Sequence, residues 1–138
     1  MAATIMPKPF LKQLKADFPN LTIKYGKKFA FRPPKTVIFS STPEPNYTLL
    51  ALHELGHALS GHFRYQTHIE RLKLESEAWE AAQTLCRRYH IPYDEEFAES
   101  QLDTYRDWLH AKSLCPTCHL TRYQTPDGKY HCPICDTL

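Results

Sequence analysis

The chain has 138 residues, 42% of them apolar and 23% charged, which fits one compact domain with room for a small appendage and excludes extensive disorder. No apolar run approaches the ~18 residues of a membrane-spanning helix, and the opening MAATIMPKPF lacks the roughly 7–15-residue apolar stretch of a secretory signal, so a soluble cytoplasmic protein is expected. The formal charge of +2 hides an asymmetry: residues 1–46 hold eight Lys/Arg against two acids, residues 47–112 seven against eleven, and residues 113–138 two of each. A basic N-terminal part can meet an acidic partner or nucleic acid, while dispersed lysines also suit a solvated face.

In chain order, Pro9, Phe10, Leu11, Leu14 and Phe18 suit a short amphipathic helix that stops at Pro19. LTIKYG, KFAF and TVIFS read as three short strands, with turns at Tyr25-Gly26-Lys27 and Pro33-Pro34. After the Pro-rich STPEPN, Asn46 can cap a helix to about Ser60, with Gly61 just beyond its end. Thr67 and Glu70 form a capping box for a second helix running to about Tyr89. Pro92 separates it from a third helix over about 94–112, whose stripe is Phe97, Ala98, Gln101, Leu102, Tyr105, Trp108 and Leu109. From Cys115 onward the periodicity vanishes.

The first chemical signal is HELGH at 53–57. On a helix, His53 and His57 stand one turn apart, about 40° around the axis, so both imidazoles can reach one zinc. Glu54 beside them is placed to act as general base toward water that the metal activates. Leu52, Leu55 and Leu59 fall on the opposite, core-facing side. A third ligand is still needed. The extended motif HExxHxxGxxH fails, because Ser60 and Phe63 occupy its glycine and histidine positions and Gly61 and His62 are out of register. Continued helix would set His62 about 140° from His57, which argues against it as a ligand.

Periodicity selects a carboxylate from the next helix. Its apolar stripe comprises Leu72, Ala78, Trp79, Ala82, Leu85, Cys86 and Tyr89; Glu75 falls inside it, whereas Glu70, Glu77 and Glu80 fall outside. A carboxylate on an apolar face is costly unless it is paired or binds metal, so Glu75 is the expected third ligand, an arginine-paired core glutamate being the alternative. Glu77, off that face, is expected to be a bystander.

HELGHALSGH, followed 13 residues later by ESEAWEAA, resembles the ImmA/IrrE family of zinc metallopeptidases, a gluzincin group, over about residues 36–92. The resemblance implies a Glu-x-x-Ala-Asp/Asn segment whose first glutamate, here Glu75, is the third ligand. Trp79 stands where that family has Asp or Asn, so the surroundings of a ligating histidine differ here. It also implies a substrate such as the separate repressor of a mobile element or stress regulon. No helix-turn-helix region is apparent, so a DNA-binding partner would be another chain.

The second signal is CPTC at 115–118 and CPIC at 132–135, with 13 residues between. Cys115, Cys118, Cys132 and Cys135 can enclose one structural zinc as a ribbon, with TPDG at 125–128 as its hairpin turn. A disulfide framework is the alternative. Arg122, Tyr123, Lys129 and Tyr130 are its expected exposed contacts for nucleic acid or protein, although zero formal charge over 113–138 argues against a strong phosphate grip. Cys86, alone in a helix, reads as a small buried hydrophobe.

The expected fold is α+β: a small zincin-like domain over 1–112, with a short antiparallel sheet and three to four helices, then a four-cysteine ribbon over 113–138. The expected function is zinc-dependent peptide hydrolysis with one catalytic and one structural zinc. His62, Tyr65, His68 or Tyr105 could supply the oxyanion donor, and strand TVIFS could receive an extended substrate. The alternative is a non-hydrolytic, metal-stabilised module that binds protein or nucleic acid through the ribbon.

Overall fold

The computed structural model describes residues 2–137. It is α+β, with four helices and two small sheets. Helix α1, Lys8–Asp17, carries a proline in its first turn and buries Leu14. Strands β1 (Thr22–Gly26), β2 (Ala30–Arg32) and β3 (Thr36–Ser40) form a sheet in the order β1-β3-β2. The expectation of an antiparallel sheet is corrected here. The β2–β3 pair is antiparallel, but β1 runs parallel to β3, from Thr22 opposite Thr36 to Gly26 opposite Ser40. The burial pattern explains the order. Val37, Ile38 and Phe39 are all buried, so β3 needs cover on both faces and partners on both edges, whereas β1 buries only Ile23. Gly26 permits the close approach: a Cβ there would stand 2.6 Å from the Ile38 side chain.

Helix α2, Tyr47–Leu59, follows. Asn46 is at its cap position but adopts φ 59° and makes no side-chain cap bond. The Tyr47 hydroxyl instead donates to the Ser40 carbonyl at 2.5 Å, tying the helix start to the end of β3. Leu52 and Leu55 are fully buried as expected, but Leu59, in the last turn beside exposed Ser60 and Gly61, is 43% exposed. Helix α3, His68–Arg88, buries Glu75, Ala78, Trp79, Ala82, Leu85 and Cys86, the face read from the period. Its capping box is displaced by one residue. Thr67 Oγ1 accepts the Glu70 N–H at 3.4 Å, while the Glu70 carboxylate accepts the N–H of Gln66. Helix α4, Glu95–Ser113, keeps its expected stripe inward, with Ala98 and Leu102 buried. Strands β4 (Tyr123–Gln124) and β5 (Tyr130–His131) form an antiparallel hairpin, closed by a Gly128 N–H to Thr125 carbonyl bond of 2.8 Å with Gly128 at φ 86°.

The chain forms two compact units, Met1–Phe63 with Glu77–Asp94, and Arg64–Ser76 with Glu95–Leu138. Thus α4 groups with the cysteine-rich segment, unlike in a cut at residue 112. The first unit holds the larger core, including Leu14, Val37, Phe39, Tyr47, Leu52, Leu55, Trp79 and Leu85. Fully burying each large aliphatic or aromatic side chain contributes roughly 1.5–3 kcal/mol. There α1 is pinned by the Tyr89 hydroxyl, which donates to Asp17 at 2.6 Å, and by Phe10 edge-on to the Tyr89 ring. In the second unit the buried apolar side chains among the described residues are only Ala98, Leu102, Cys115 and Cys132. So small a core needs cross-links. Among the described residues no helix is long and apolar enough to cross a membrane.

Cys86 is 1% exposed, and burial pushes its thiol up to about 11. The folded pKa lies above the unfolded one, so this group's contribution to stability falls as pH rises from about 9 to about 11. At pH 8 an alkylating reagent should leave Cys86 unmodified in the native protein and modify it in denaturant, as peptide mass mapping would show. Native-state modification at this cysteine would contradict its burial.

Candidate metal centre

On α2, His53 and His57 bring their ring centroids to 4.7 Å, and both are buried. Each is held by a parallel aromatic ring. Trp79 of α3 stacks on His53 at 4.4 Å and 6°, and Phe31 of β2 on His57 at 6.2 Å and 4°. Trp79, at the position where a polar residue was the family pattern, thus orients a histidine by stacking. Gly56 lets α2 meet α3 at this level. A Cβ at Gly56 would overlap the Ala78 carbonyl oxygen and stand 3.3 Å from the Ala81 Cβ.

Beyond α2 the chain reverses. Gly61 takes φ 68°, its N–H bonds to the Ala58 carbonyl, and the His62 N–H bonds to the His57 carbonyl, each at 3.2 Å. This is a Schellman ending, and it folds His62 back over His57. His62 Nδ1 lies 2.9 Å from His57 Nδ1, and His62 Nε2 lies 3.0 Å from Glu77 Oε2. The chain of bonds assigns the tautomers. A carboxylate only accepts, so His62 donates from Nε2, and in the tautomer that carries this one ring proton it accepts at Nδ1. His57 then donates from Nδ1, which leaves its Nε2 lone pair for a metal. Two expectations are corrected. His62, expected among the oxyanion candidates, has both ring nitrogens taken up by His57 and Glu77, and Glu77, expected to stand apart, is the partner of His62. Glu77→Gln should therefore retain the fold and weaken metal binding at this centre by about 10- to 100-fold, read by competition with a chelator. Unchanged affinity would remove Glu77 from the centre.

Glu75, 8% exposed, lies one turn before Trp79 on the uninterrupted α3. One donor atom each from His53, His57 and Glu75 lies within 4.8 Å of the other two. The Tyr105 hydroxyl bonds Glu75 and Arg71; burial, helped by the Glu75 charge, raises it to about 12, so it stays a neutral donor. The Arg71 guanidinium in turn lies over the rings of Tyr65, Tyr105 and Trp108, at 5.7, 5.3 and 4.9 Å from their centroids. Glu54 is beside His53, with Oε1 3.8 Å from His53 Nδ1. Of the other oxyanion candidates, His68 is committed to the Tyr130 hydroxyl at 2.7 Å and Tyr105 to Glu75, while Tyr65 is 43% exposed. Two imidazoles on adjacent turns of α2 and one carboxylate of α3, all buried, form a donor set that suits zinc.

The second donor cluster is Cys115, Cys118, Cys132 and Cys135. The Cys115 and Cys135 sulfurs are 3.9 Å apart and those of Cys118 and Cys132 3.5 Å. Four thiolates around a tetrahedral zinc stand about 3.8 Å apart, whereas a disulfide needs about 2.05 Å, so the spacing fits a metal and no disulfide. The Cys118 and Thr117 N–H groups aim at the Cys115 sulfur and lower it to about 6, while the crowding of sulfurs raises Cys118 and Cys135, so the first thiolate of the cluster forms at Cys115. His119 and His131 lie outside the cluster. Of the expected ribbon contacts, Tyr123 and Lys129 are exposed. Arg122 and Tyr130 are engaged internally: Arg122 stacks over Tyr130 at 4.7 Å and donates to the Lys112 carbonyl, and the Tyr130 hydroxyl bonds His68.

The residues that sequence reasoning missed are Phe31, Glu77 and the role of His62. Gly61 carried a signal for His62, because a glycine at a helix end turns the next residue back over the last turn. Comparison with family models, with curated proteins and with solved structures finds no match to this chain.

Proposed function

We propose that the chain is a zinc-dependent metallopeptidase of the gluzincin kind, as its resemblance to the ImmA/IrrE group implies. The observation that carries this reading is the buried cluster of His53, His57 and Glu75 with Glu54 beside it. Zinc held by these three residues would supply Lewis acidity toward a carbonyl and make water more acidic. Glu54 takes the proton from the attacking water and passes it to the leaving amine. His62 and Glu77 keep His57 in its ligating tautomer, and Tyr105 holds the Glu75 carboxylate by a hydrogen bond. The substrate lies along a free sheet edge. That edge is β2, whose Phe31 lies against the His57 ring; β3, the TVIFS strand, is flanked on both sides. The four cysteines hold a second, structural zinc, and the substrate implied by the resemblance is a regulatory or repressor protein.

Zinc-loaded protein should carry two ions per chain, the one on His53, His57 and Glu75 leaving first to a chelator and the thiolate-held one persisting. Metal analysis finding one ion or fewer refutes the two-site reading. Hydrolysis is tested by incubating the loaded protein with a defined peptide mixture and scoring products by mass spectrometry, with Glu54→Gln as the reference. No wild-type product across the mixture, with both ions bound, counts against the peptidase reading.

A further inference from the structure

We propose that the outer edge of β2 is a docking strand for extended acidic peptides, which makes acidic segments the substrate class of the centre beside it. The fate of the bound peptide rests on the metallopeptidase reading; its docking does not.

Residues 18–43 contain Lys24, Lys27, Lys28, Arg32 and Lys35 and no acidic residue. All five are exposed. Lys24 is on β1, the opposite edge of the sheet, whereas the other four flank β2. Lys27 and Lys28 lie in the connection that enters it, Arg32 is its last residue, and Lys35 is in the turn to β3. None of these four forms an ion pair among the described residues. Their charge is thus uncommitted at both ends of one strand. That strand is paired on one side only, with β3, so its other side presents backbone N–H and C=O groups.

The middle of β2 is where this edge meets the centre. Phe31, flanked by Ala30 and Arg32, lies parallel to the His57 ring. A peptide strand added to this edge passes the metal-ligating cluster at the residues opposite Phe31. At about 3.4 Å per residue, positions one to four away on either side fall about 3–14 Å out, the span from Arg32, next to Phe31, to Lys27, Lys28 and Lys35. Acidic side chains at those positions meet Lys27 and Lys28 at one end and Arg32 and Lys35 at the other. A polynucleotide fits less well, because it has no row of amides to match the edge and the one aromatic ring of β2 is taken by His57.

The test uses full-length, zinc-loaded Glu54→Gln protein, so that binding is read without cleavage. A fluorescein-labelled decapeptide of alternating Glu and Val should bind, by anisotropy at low salt, about tenfold more tightly than its Gln-Val counterpart. Lys27→Glu with Lys28→Glu should erase that preference. Lys12→Glu with Lys15→Glu, the same charge change on exposed residues of α1, should leave it intact. Backbone N-methylation at every second residue should abolish binding in one frame and spare it in the other, because a strand edge uses alternate amides.

Equal binding of the Glu and Gln peptides, equal loss in both double variants, or indifference to N-methylation overturns the proposal and leaves the lysines as charge that only keeps the edge soluble. Tighter binding of an oligothymidylate than of the Glu peptide, lost with Lys27 and Lys28, overturns it in favour of a nucleic-acid interface. The two readings separate in wild-type protein. Binding of the Glu peptide without cleavage upholds the docking strand and refutes the peptidase. Cleavage of the Gln peptide as fast as the Glu peptide upholds the peptidase and refutes the acidic preference.

Discussion

Glu54→Gln is expected to keep its full metal content while peptide hydrolysis falls by about 10²–10⁴-fold. The substitution leaves His53, His57 and Glu75 in place and removes only the proposed base. Glu75→Gln should do the reverse at the level of metal. An amide is a far weaker ligand than a carboxylate, so the ion at this centre is lost, and hydrolysis with it. It also leaves a neutral amide 8% exposed on an otherwise apolar helix face, with the Tyr105 hydroxyl as a remaining partner, so the loss of melting temperature in the metal-free protein should be modest. Inductively coupled plasma analysis and thermal melting on both variants, with and without chelator, separate the base from the ligand. A Glu75→Gln protein that retains both ions would move the third ligand elsewhere. A Glu54→Gln protein that hydrolyses peptide as fast as wild type would exclude Glu54 as the base.

The second large effect is expected at Gly56. In an exposed helix, replacing glycine by alanine stabilises by about 1 kcal/mol. Here the added methyl overlaps a backbone oxygen, that of Ala78, which cannot rotate away as a flexible side chain would. The two helices must part to admit it, and Trp79, stacked on His53, moves with Ala78. Overpacking of this kind typically costs about 1–3 kcal/mol or more, so Gly56→Ala should lose about 2 kcal/mol net and roughly 6–12 °C in melting temperature. It should also weaken metal binding at the His53 centre while sparing the cysteine cluster. A melting temperature above wild type would mean that α2 and α3 do not approach as closely as described.

The helical part of this architecture was legible because a 3.6-residue period writes the buried face directly into the order of residues. Glu75, Ala78, Trp79, Ala82, Leu85 and Cys86 are buried together, and the same period picked Glu75 from four glutamates. The two Cys-x-x-Cys pairs were legible because ligand spacing survives without any knowledge of the fold. The sheet was not. Strands of three to five residues state which faces are apolar but not which strands pair, and the parallel β1–β3 pairing depends on β3 being buried on both faces. The place of His62 was not legible because its direction was judged for a continued helix, whereas Gly61, just past the helix end, reverses the chain there. Phe31 is remote in sequence from His57, and no local pattern announces that their rings will stack.

Helix α2 has buried residues around most of its circumference, Tyr47, Leu49, Ala51 and Leu55 as well as His53 and His57, with the Leu50, Glu54 and Ala58 stripe half-buried. Most metal-ligating side chains are carried on elements with one face toward solvent, which can fray or tilt while the rest of the molecule stays folded. A helix covered around most of its circumference has little such partial freedom, and its central amides should exchange with solvent more slowly than those of the half-exposed helices. The two imidazoles are therefore set in place by the folding of the first unit itself, before any ion arrives, and an incoming ion has little chain left to order around them. For the same reason a substitution that loosens α2 cannot act on the chemistry alone, because the helix that carries the histidines is also the spine of the unit.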